Sequence, residues 1–267
     1  MIPAERQQFI RVALDARGMV GIADMAEQLG VSHMTVRRDM QILETQGYLK
    51  LISGGAQRVG RIEGELSQAE KRRLRHAEKA AIAKKAVSLI PPGAAVYFDA
   101  GTTCLAIAEA VTEREDLRDS ILAVSNDFTV VAHLMACSNC RLFHTGGEVL
   151  RENKSASGES AASMVSRLNI DIAFISTSSW DATWISTPTE SKVAVKVAAA
   201  KAARRSYLVT DSSKFGQVGL FNILPLRELS GVITDSGLPL QVQKNIAASG
   251  VTLILVDPLR KAPTLPR

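Results

Sequence analysis

The chain has 267 residues, 46% of them hydrophobic and 22% charged, with a formal net charge of +5 at neutral pH. That length and apolar share allow a sizeable buried core and exclude disorder as the main state. No 18-residue apolar run occurs, and the opening Met1-Ile2-Pro3-Ala4-Glu5-Arg6 lacks the basic flank and apolar stretch of a signal peptide, so a soluble, cytoplasmic protein without membrane contact is expected.

From Glu5 to Leu14 the apolar positions Phe9, Ile10, Ala13 and Leu14 recur at helical spacing, and Gly18 closes the segment. Ile22, Met25, Ala26 and Leu29 predict a second short helix, Gly30 a turn, and Ser32 the cap of a third helix from His33 to about Gln46. Tyr48–Ile52 reads as a strand, with Ser53-Gly54-Gly55-Ala56 as its tight turn, which together make a wing. Arg58 to Arg75 is rich in charge and poor in large apolar residues, so an exposed connector is expected there, becoming helical toward His76.

Beyond Ile82 the pattern changes. Short apolar runs at Ala94–Phe98, Ile121–Val124, Leu142–Phe143, Ile172–Ile175, Tyr207–Val209, Val232–Ile233 and Leu253–Val256 alternate, for the most part, with helix-period segments. Such alternation predicts an α/β domain with a mostly parallel sheet and helices on both faces. The expected division is a winged helix-turn-helix domain over 1–58, its helix-turn-helix at about 20–39, a linker over 59–76, a sensing domain over 77–257 and a tail over 258–267.

Charge falls unevenly across these parts. Residues 1–85 hold 15 Lys/Arg against 10 Asp/Glu, whereas residues 86–267 hold 17 against 17, so any polyanion contact belongs to the N-terminal module. In the third helix Val36, Met40 and Leu43 share one face, and His33, Thr35, Arg37, Arg38 and Gln41 lie opposite. A helix-turn-helix directs the first residues of its second helix into the major groove, which makes Ser32, His33, Met34, Thr35, Arg37, Arg38, Gln41 and, from the wing, Lys50 the candidate contacts to double-stranded DNA. The plainer reading is a solvated basic face on a helical hairpin, with Asp39 partly neutralising Arg37 and Arg38. The clustering of a glycine turn, a capped basic helix, a glycine-closed hairpin and the charge excess within 56 residues favours DNA.

The run Val31-Ser32-His33-Met34-Thr35-Val36-Arg37-Arg38-Asp39-Met40 resembles the signature of the DeoR family of regulators. Leu51 and Ser53 stand where that family usually has an arginine and a histidine before Gly-Gly-Ala, a departure that touches one expected phosphate contact.

Farther along, Ala94–Phe98 runs into Asp99-Ala100-Gly101-Thr102-Thr103 and then a helix-like segment, a turn that gathers backbone N–H groups and the positive helix end at one point. Capping of the helix by a threonine is the plainer alternative. Ser125-Asn126-Asp127, Thr145-Gly146-Gly147 and Thr210-Asp211-Ser212-Ser213-Lys214 repeat the pattern, and in an open parallel sheet such strand ends converge. Asp99, Gly101, Thr102, Thr103, Asn126, Gly146, Gly147 and Lys214, joined by Trp180 and Glu190, are therefore the candidate residues for a small anion.

This region resembles the DeoR-type sensor domain, similar in fold to ribose-5-phosphate isomerase, through Asp99–Thr103, Asn126, Gly146-Gly147, Gly158-Glu159, Asp171 with Phe174, Asp211–Gly216 and Thr234-Asp235. The resemblance implies a homo-oligomeric repressor of carbohydrate or acid-sugar catabolism, released from its operator by a phosphorylated sugar or sugar acid. Ser176–Asp181 replaces the family's glycine-rich stretch, and with Ile185–Pro188 it resembles a subgroup linked to four-carbon acid-sugar catabolism.

Two rival functions bear on the same residues. A sugar-phosphate isomerase needs a carboxylate base and a carbonyl-polarising lysine, for which the corresponding stretch supplies only Asp181, with Glu190 and Lys192 downstream in a segment without the expected glycines, so no enzyme is expected. A thiol- or metal-responsive regulator would use Cys137 and Cys140, whose two-residue spacing lacks a second ligand pair nearby. The odd cysteine count, with Cys104, fits a reducing compartment, and His33, His76, His133 and His144 show no metal-ligand spacing. Neither the Walker loop nor the dinucleotide glycine fingerprint occurs, and no cofactor or metal is expected.

Overall fold

The computed structural model describes residues 1–17, 19–52, 54–58, 60–62, 64–238 and 240–258, and within them the apolar periodicities separate into two compact units that divide between Arg61 and Ile62, with Gly216–Val218 joining the first. The first unit contains α1 (Pro3–Arg17), β1 (Met19–Gly21), α2 (Ile22–Leu29), α3 (His33–Thr45), β2 (Leu49–Ile52) and β3 (Gly55–Arg58). Gly30 ends α2 in the left-handed region, at φ 63° and ψ 36°, and donates its N–H to Ala26 and Glu27 carbonyls. Ser32 then caps α3, its hydroxyl accepting the Thr35 N–H at 3.2 Å.

Ile10, Leu14, Met25, Val36, Met40, Leu43 and Leu49 form the core of this unit, each almost wholly buried. Full burial of such a side chain contributes roughly 1.5–3 kcal/mol, so α3 is fixed by its apolar face while its polar face stays outside. The three strands form an antiparallel sheet in the order β1-β3-β2. Two details differ from expectation. Met19–Gly21 is a strand too short to show a period, and Gly55–Arg58 pairs with Leu49–Ile52 where a turn over 53–56 was expected. Gly18 and Ser53 lie outside the described residues.

The second unit begins with α4 (Gln68–Arg73) and α5 (His76–Val87), then runs through β4 (Ala95–Phe98), α6 (Thr102–Thr112), α7 (Glu115–Arg118), β5 (Leu122–Ser125), α8 (Phe128–Cys137) and β6 (Arg141–His144). A hairpin, β7 (Glu148–Leu150) and β8 (Ser155–Ser157), leads to α9 (Gly158–Val165) and β9 (Ile170–Ile175). The remainder is β10 (Ser179–Trp180), β11 (Trp184–Thr187), α10 (Ser191–Ala202), β12 (Ala203–Val209), β13 (Phe221–Pro225), β14 (Gly231–Asp235), α11 (Leu240–Ala248) and β15 (Leu253–Val256).

All seven expected apolar runs lie in one parallel sheet, ordered β15-β14-β12-β9-β4-β5-β6. Two apolar layers cover its faces. One holds Phe98, Ile107, Val111 and Phe174, the other Tyr97, Ile175, Trp180 and Leu208, so strand residues alternate between them. From β4 the chain winds through β5 and β6 in one direction, and from β9 through β12, β14 and β15 in the other. The sheet therefore reverses between β4 and β9, the position at which an open α/β sheet leaves a crevice beyond its strand ends. A small antiparallel sheet, β10-β11-β13, was not foreseen. No helix among the described residues is long and apolar enough to cross a membrane.

Candidate functional site

The polar face of α3 is open. Ser32, His33, Met34, Arg37, Arg38, Gln41 and, on β2, Lys50 are exposed, with Thr35 half-buried, and Met34 keeps 73% of its surface. The neutralisation of Arg37 and Arg38 by Asp39 that belonged to the plainer reading does not occur. Asp39 turns inward, accepting Arg6 Nε at 2.6 Å, Arg6 Nη2 at 3.3 Å and Gln7 Nε2 at 3.3 Å. It stands three positions after Val36, on the buried face, whereas Arg37 and Arg38 are turned away from it. Ser32 is partly committed as a cap, and its hydroxyl also lies 3.0 Å from that of Thr35.

In the second unit the crevice forms where β4 and β9 end. Of the candidate residues, Asp99, Gly101, Thr102, Thr103, Asn126 and Lys214 line it. Asp99 is fully buried, paired with Lys196, and accepts Ser176 N–H at 2.9 Å and Ser176 Oγ at 3.1 Å. Lys196 Nζ also reaches the Ser176 carbonyl at 2.9 Å. The other Asp99 oxygen, Oδ1, and Thr103 Oγ1 are buried without a hydrogen-bond partner.

Gly101 has φ 148° and ψ 159°, and a Cβ there would stand 2.9 Å from Ser176 Oγ, so only glycine lets β4 and β9 close on each other at this point. Its amide is not free for a ligand, because it donates to Asp127 Oδ2 at 2.9 Å, while Asp127 Oδ1 caps α8. Asn126 is held from both ends, accepting Tyr97 Oη at 3.0 Å and donating to the Ala156 carbonyl at 2.9 Å. Lys214 donates to the Thr177 carbonyl at 2.8 Å from the turn Ser212–Lys214, which Asp235 fastens by accepting Ser212 N–H and Oγ, each at 2.7 Å.

Four candidates lie elsewhere. Trp180 is fully buried in one apolar layer, edge-on to Phe215 at 5.0 Å, so it packs the core and does not rim the crevice. Glu190 is exposed at the N-cap of α10, two residues and therefore about 200° around the helix from Lys192, which does face the crevice. Gly146 and Gly147 follow β6 at the sheet edge, two strands from β4, and are exposed.

Several lining residues were missed. The segment expected to be an exposed connector supplies Glu65, Gln68 and Lys71. Gln68 is 4% exposed, donating its N–H to the Glu152 carbonyl at 3.0 Å and its side chain to Thr129 Oγ1 at 2.7 Å. Lys192 and Lys196, four residues apart on the alanine- and valine-rich α10, are 8% and 5% exposed. Two lysines four apart among the alanines and valines of α10 were the available signal, since a buried lysine needs a polar destination.

The crevice is strongly cationic. Lys71, Lys192, Lys196 and Lys214 line it against two carboxylates, Glu65 and Asp99. Burial works to raise the Glu65 carboxyl, but Lys192 and Lys71 outweigh it and hold the group at about 2. Burial lowers Lys214, an effect Asp211 opposes, and lowers Lys192, an effect Glu65 opposes. Nearby, Lys79 fastens the end of α4 by donating to the Lys71 and Leu74 carbonyls, and burial with Lys214 brings it to about 8.

Asp181 accepts Thr183 and Trp184 amides at 2.7 and 2.8 Å in the β10–β11 turn and is not among the lining residues. Cys137 is exposed and Cys140 half-buried, and no group of three metal-ligating side chains occurs among the described residues.

Residues 6–61 match the DeoR-like helix-turn-helix domain and residues 74–236 the DeoR C terminal sensor domain. The chain is 47% identical over 255 residues, 96% of its length and 98% of the relative's, to the "Uncharacterized HTH-type transcriptional regulator YgbI" of Escherichia coli (strain K12). It is 31% identical, over 86% of its length and 91% of the relative's, to the lactose phosphotransferase system repressor of Staphylococcus aureus (strain NCTC 8325 / PS 47). Among solved structures, ribose 5-phosphate isomerase A of Methanocaldococcus jannaschii matches 51% of this chain and 53% of that one at 16% identity, with a TM-score of 0.39, too slight a likeness to bear on function.

Proposed function

The chain belongs to the DeoR family of DNA-binding transcriptional regulators, and from that premise we propose that it represses genes of carbohydrate or acid-sugar catabolism until a phosphorylated sugar or related anionic metabolite enters the crevice between β4 and β9. One observation carries this reading: four lysines and two carboxylates surround a cavity in which a buried carboxylate oxygen, Asp99 Oδ1, and a buried hydroxyl, Thr103 Oγ1, have no partner. The cations suit an anionic group and the unpartnered pair suits a polyol, since buried polar groups are costly when left unmade. The name of the lactose phosphotransferase system repressor agrees with a sugar-linked signal.

The N-terminal unit presents His33, Met34, Thr35, Arg37, Arg38 and Gln41 to the operator from α3, with Lys50 from the wing. Half-sites one helical turn apart require two copies of α3, so the working form is a homo-oligomer acting in the cytoplasm. Effector binding weakens operator affinity through its differential affinity for two arrangements of the chain. Replacement of Thr102 or Lys214 by alanine tests this: operator binding should persist while release by sugar phosphates is lost. Unaltered release in both variants would remove the crevice from the account.

A further inference from the structure

Five donors in the crevice converge on one side chain of the protein itself. Glu65 Oε2 receives Lys192 Nζ at 2.9 Å, Lys71 Nζ, and Asn153 Nδ2 at 3.4 Å, while Oε1 receives Ser178 Oγ at 3.3 Å and Thr187 Oγ1 at 3.4 Å. A carboxylate offers about four lone-pair positions, and three of these five contacts are long. The donor set is thus larger than its occupant. A phosphoryl group, with three terminal oxygens and a charge near −2 at neutral pH, would serve all five donors and both ammonium groups.

The size of the cavity points the same way. It holds about 40 Å3, room for a few water molecules and far below the roughly 300–1,000 Å3 of sites that enclose small organic ligands. A phosphorylated sugar enters only if something leaves. Glu65 is free to do so, because residues 64–67 belong to no helix or strand and its carboxylate is held by side chains alone. Its departure would also join the seat to Asp99 Oδ1 and Thr103 Oγ1, the unpartnered atoms of the same cavity.

We propose that the seat built by Lys71, Asn153, Ser178, Thr187 and Lys192 is the phosphoryl subsite, and that Glu65 is an internal stand-in which the effector displaces. The inference rests on the crevice being the effector site. It also supplies the coupling, since Glu65 stands four residues after Arg61, where the N-terminal unit ends. A ligand that takes the seat binds only the state in which this connecting segment has left it, and so biases that state. Because Lys192 and Lys71 keep Glu65 ionised, the stand-in competes at every physiological pH.

The test uses the full-length protein with inorganic phosphate as probe, measured by calorimetry, alongside amide exchange over residues 64–70. Glu65→Gln should bind phosphate about tenfold more tightly, the gain expected when the seat is about nine-tenths occupied by Glu65. Glu65→Asp, which shortens the reach by one methylene, should show a smaller gain and guards against misfolding of the first variant. Lys192→Gln should lose phosphate binding. In the unaltered protein phosphate should speed exchange over 64–70, whereas in Glu65→Gln exchange should be fast from the start. Binding lost in Lys192→Gln but unimproved in both Glu65 variants would overturn the stand-in and leave the crevice as the effector site. Binding unchanged in Lys192→Gln, or absent from every form, would overturn the crevice reading and the inference with it.

Discussion

The carboxylate of Asp39, next in sequence to Arg38, is paired with Arg6 of α1 at 2.6 Å and is 2% exposed. The pair ties α3 to α1, and among the described residues no ion pair engages Arg37 or Arg38. Breaking a buried pair from one side strands the other charge, so Asp39→Ala should destabilise the N-terminal unit by roughly 3–5 kcal/mol in denaturant unfolding. A loss below 1 kcal/mol would mean that the pair does not fix α3.

Gly101 makes a second stability prediction that also reaches the crevice. Its backbone lies in a region essentially reserved for glycine, and a Cβ would press on Ser176. Gly101→Ala should cost about 1–3 kcal/mol from the backbone alone and move the Asp99–Ser176 contact. Thermal melting with and without a sugar phosphate should show both a lower midpoint and a smaller ligand-induced shift.

Glu65 gives the molecule an acid sensitivity of defined sign. Its carboxyl is held at about 2 against an ordinary 4.5, so its contribution is fully present above pH 4.5 and is lost as pH falls toward 2. The pH-dependent part is at most about 3 kcal/mol for a side chain only 9% exposed. The stability difference between the unaltered protein and Glu65→Gln should therefore be constant from pH 7 to about 5 and shrink between about 4 and 3.

Lys79 adds a second rise of stability with pH, on the alkaline side. Burial and the nearby Lys214 bring it to about 8, below its ordinary 10.5, so the folded protein holds fewer protons than the unfolded chain between those values. Stability from this group should rise as pH climbs through that window. Lys79→Met should flatten the rise in a pH series of denaturant unfolding curves.

The sequence made the seven parallel strands legible because each carries a short apolar run, largely buried in the five inner strands and half-buried in the edge strands β6 and β15, and it made α3 legible because Ser32, Val36, Met40 and Leu43 declare a cap and a face. The crevice was half legible. Asp99, Thr102, Asn126 and Lys214 sit at strand ends, where topology alone brings them together. Glu65, Lys71, Lys192 and Lys196 do not, since their place depends on how a charged segment and a helix face fold back over the sheet. Trp180 misled because a large aromatic beside a polar run suits a rim as well as a core, and only the pairing of β10 with β11 decides between them. Gly146 and Gly147 misled because strand order, which puts β6 at the edge, cannot be read from apolar runs.

The central claim, that the exposed arginines of α3 hold the operator and the crevice governs their grip, is tested most directly by measuring retention of the chain's own upstream DNA across roughly 50–200 mM salt, with and without sugar phosphates. The account predicts sequence-selective retention that sugar phosphates release. Arg37→Ala or Arg38→Ala should cost roughly 1–3 kcal/mol, relaxing preference at one base pair if the residue reads a base edge, or lowering the salt slope by about one if it holds a phosphate. Retention without sequence preference at every salt concentration, unaffected by either arginine substitution, would contradict it.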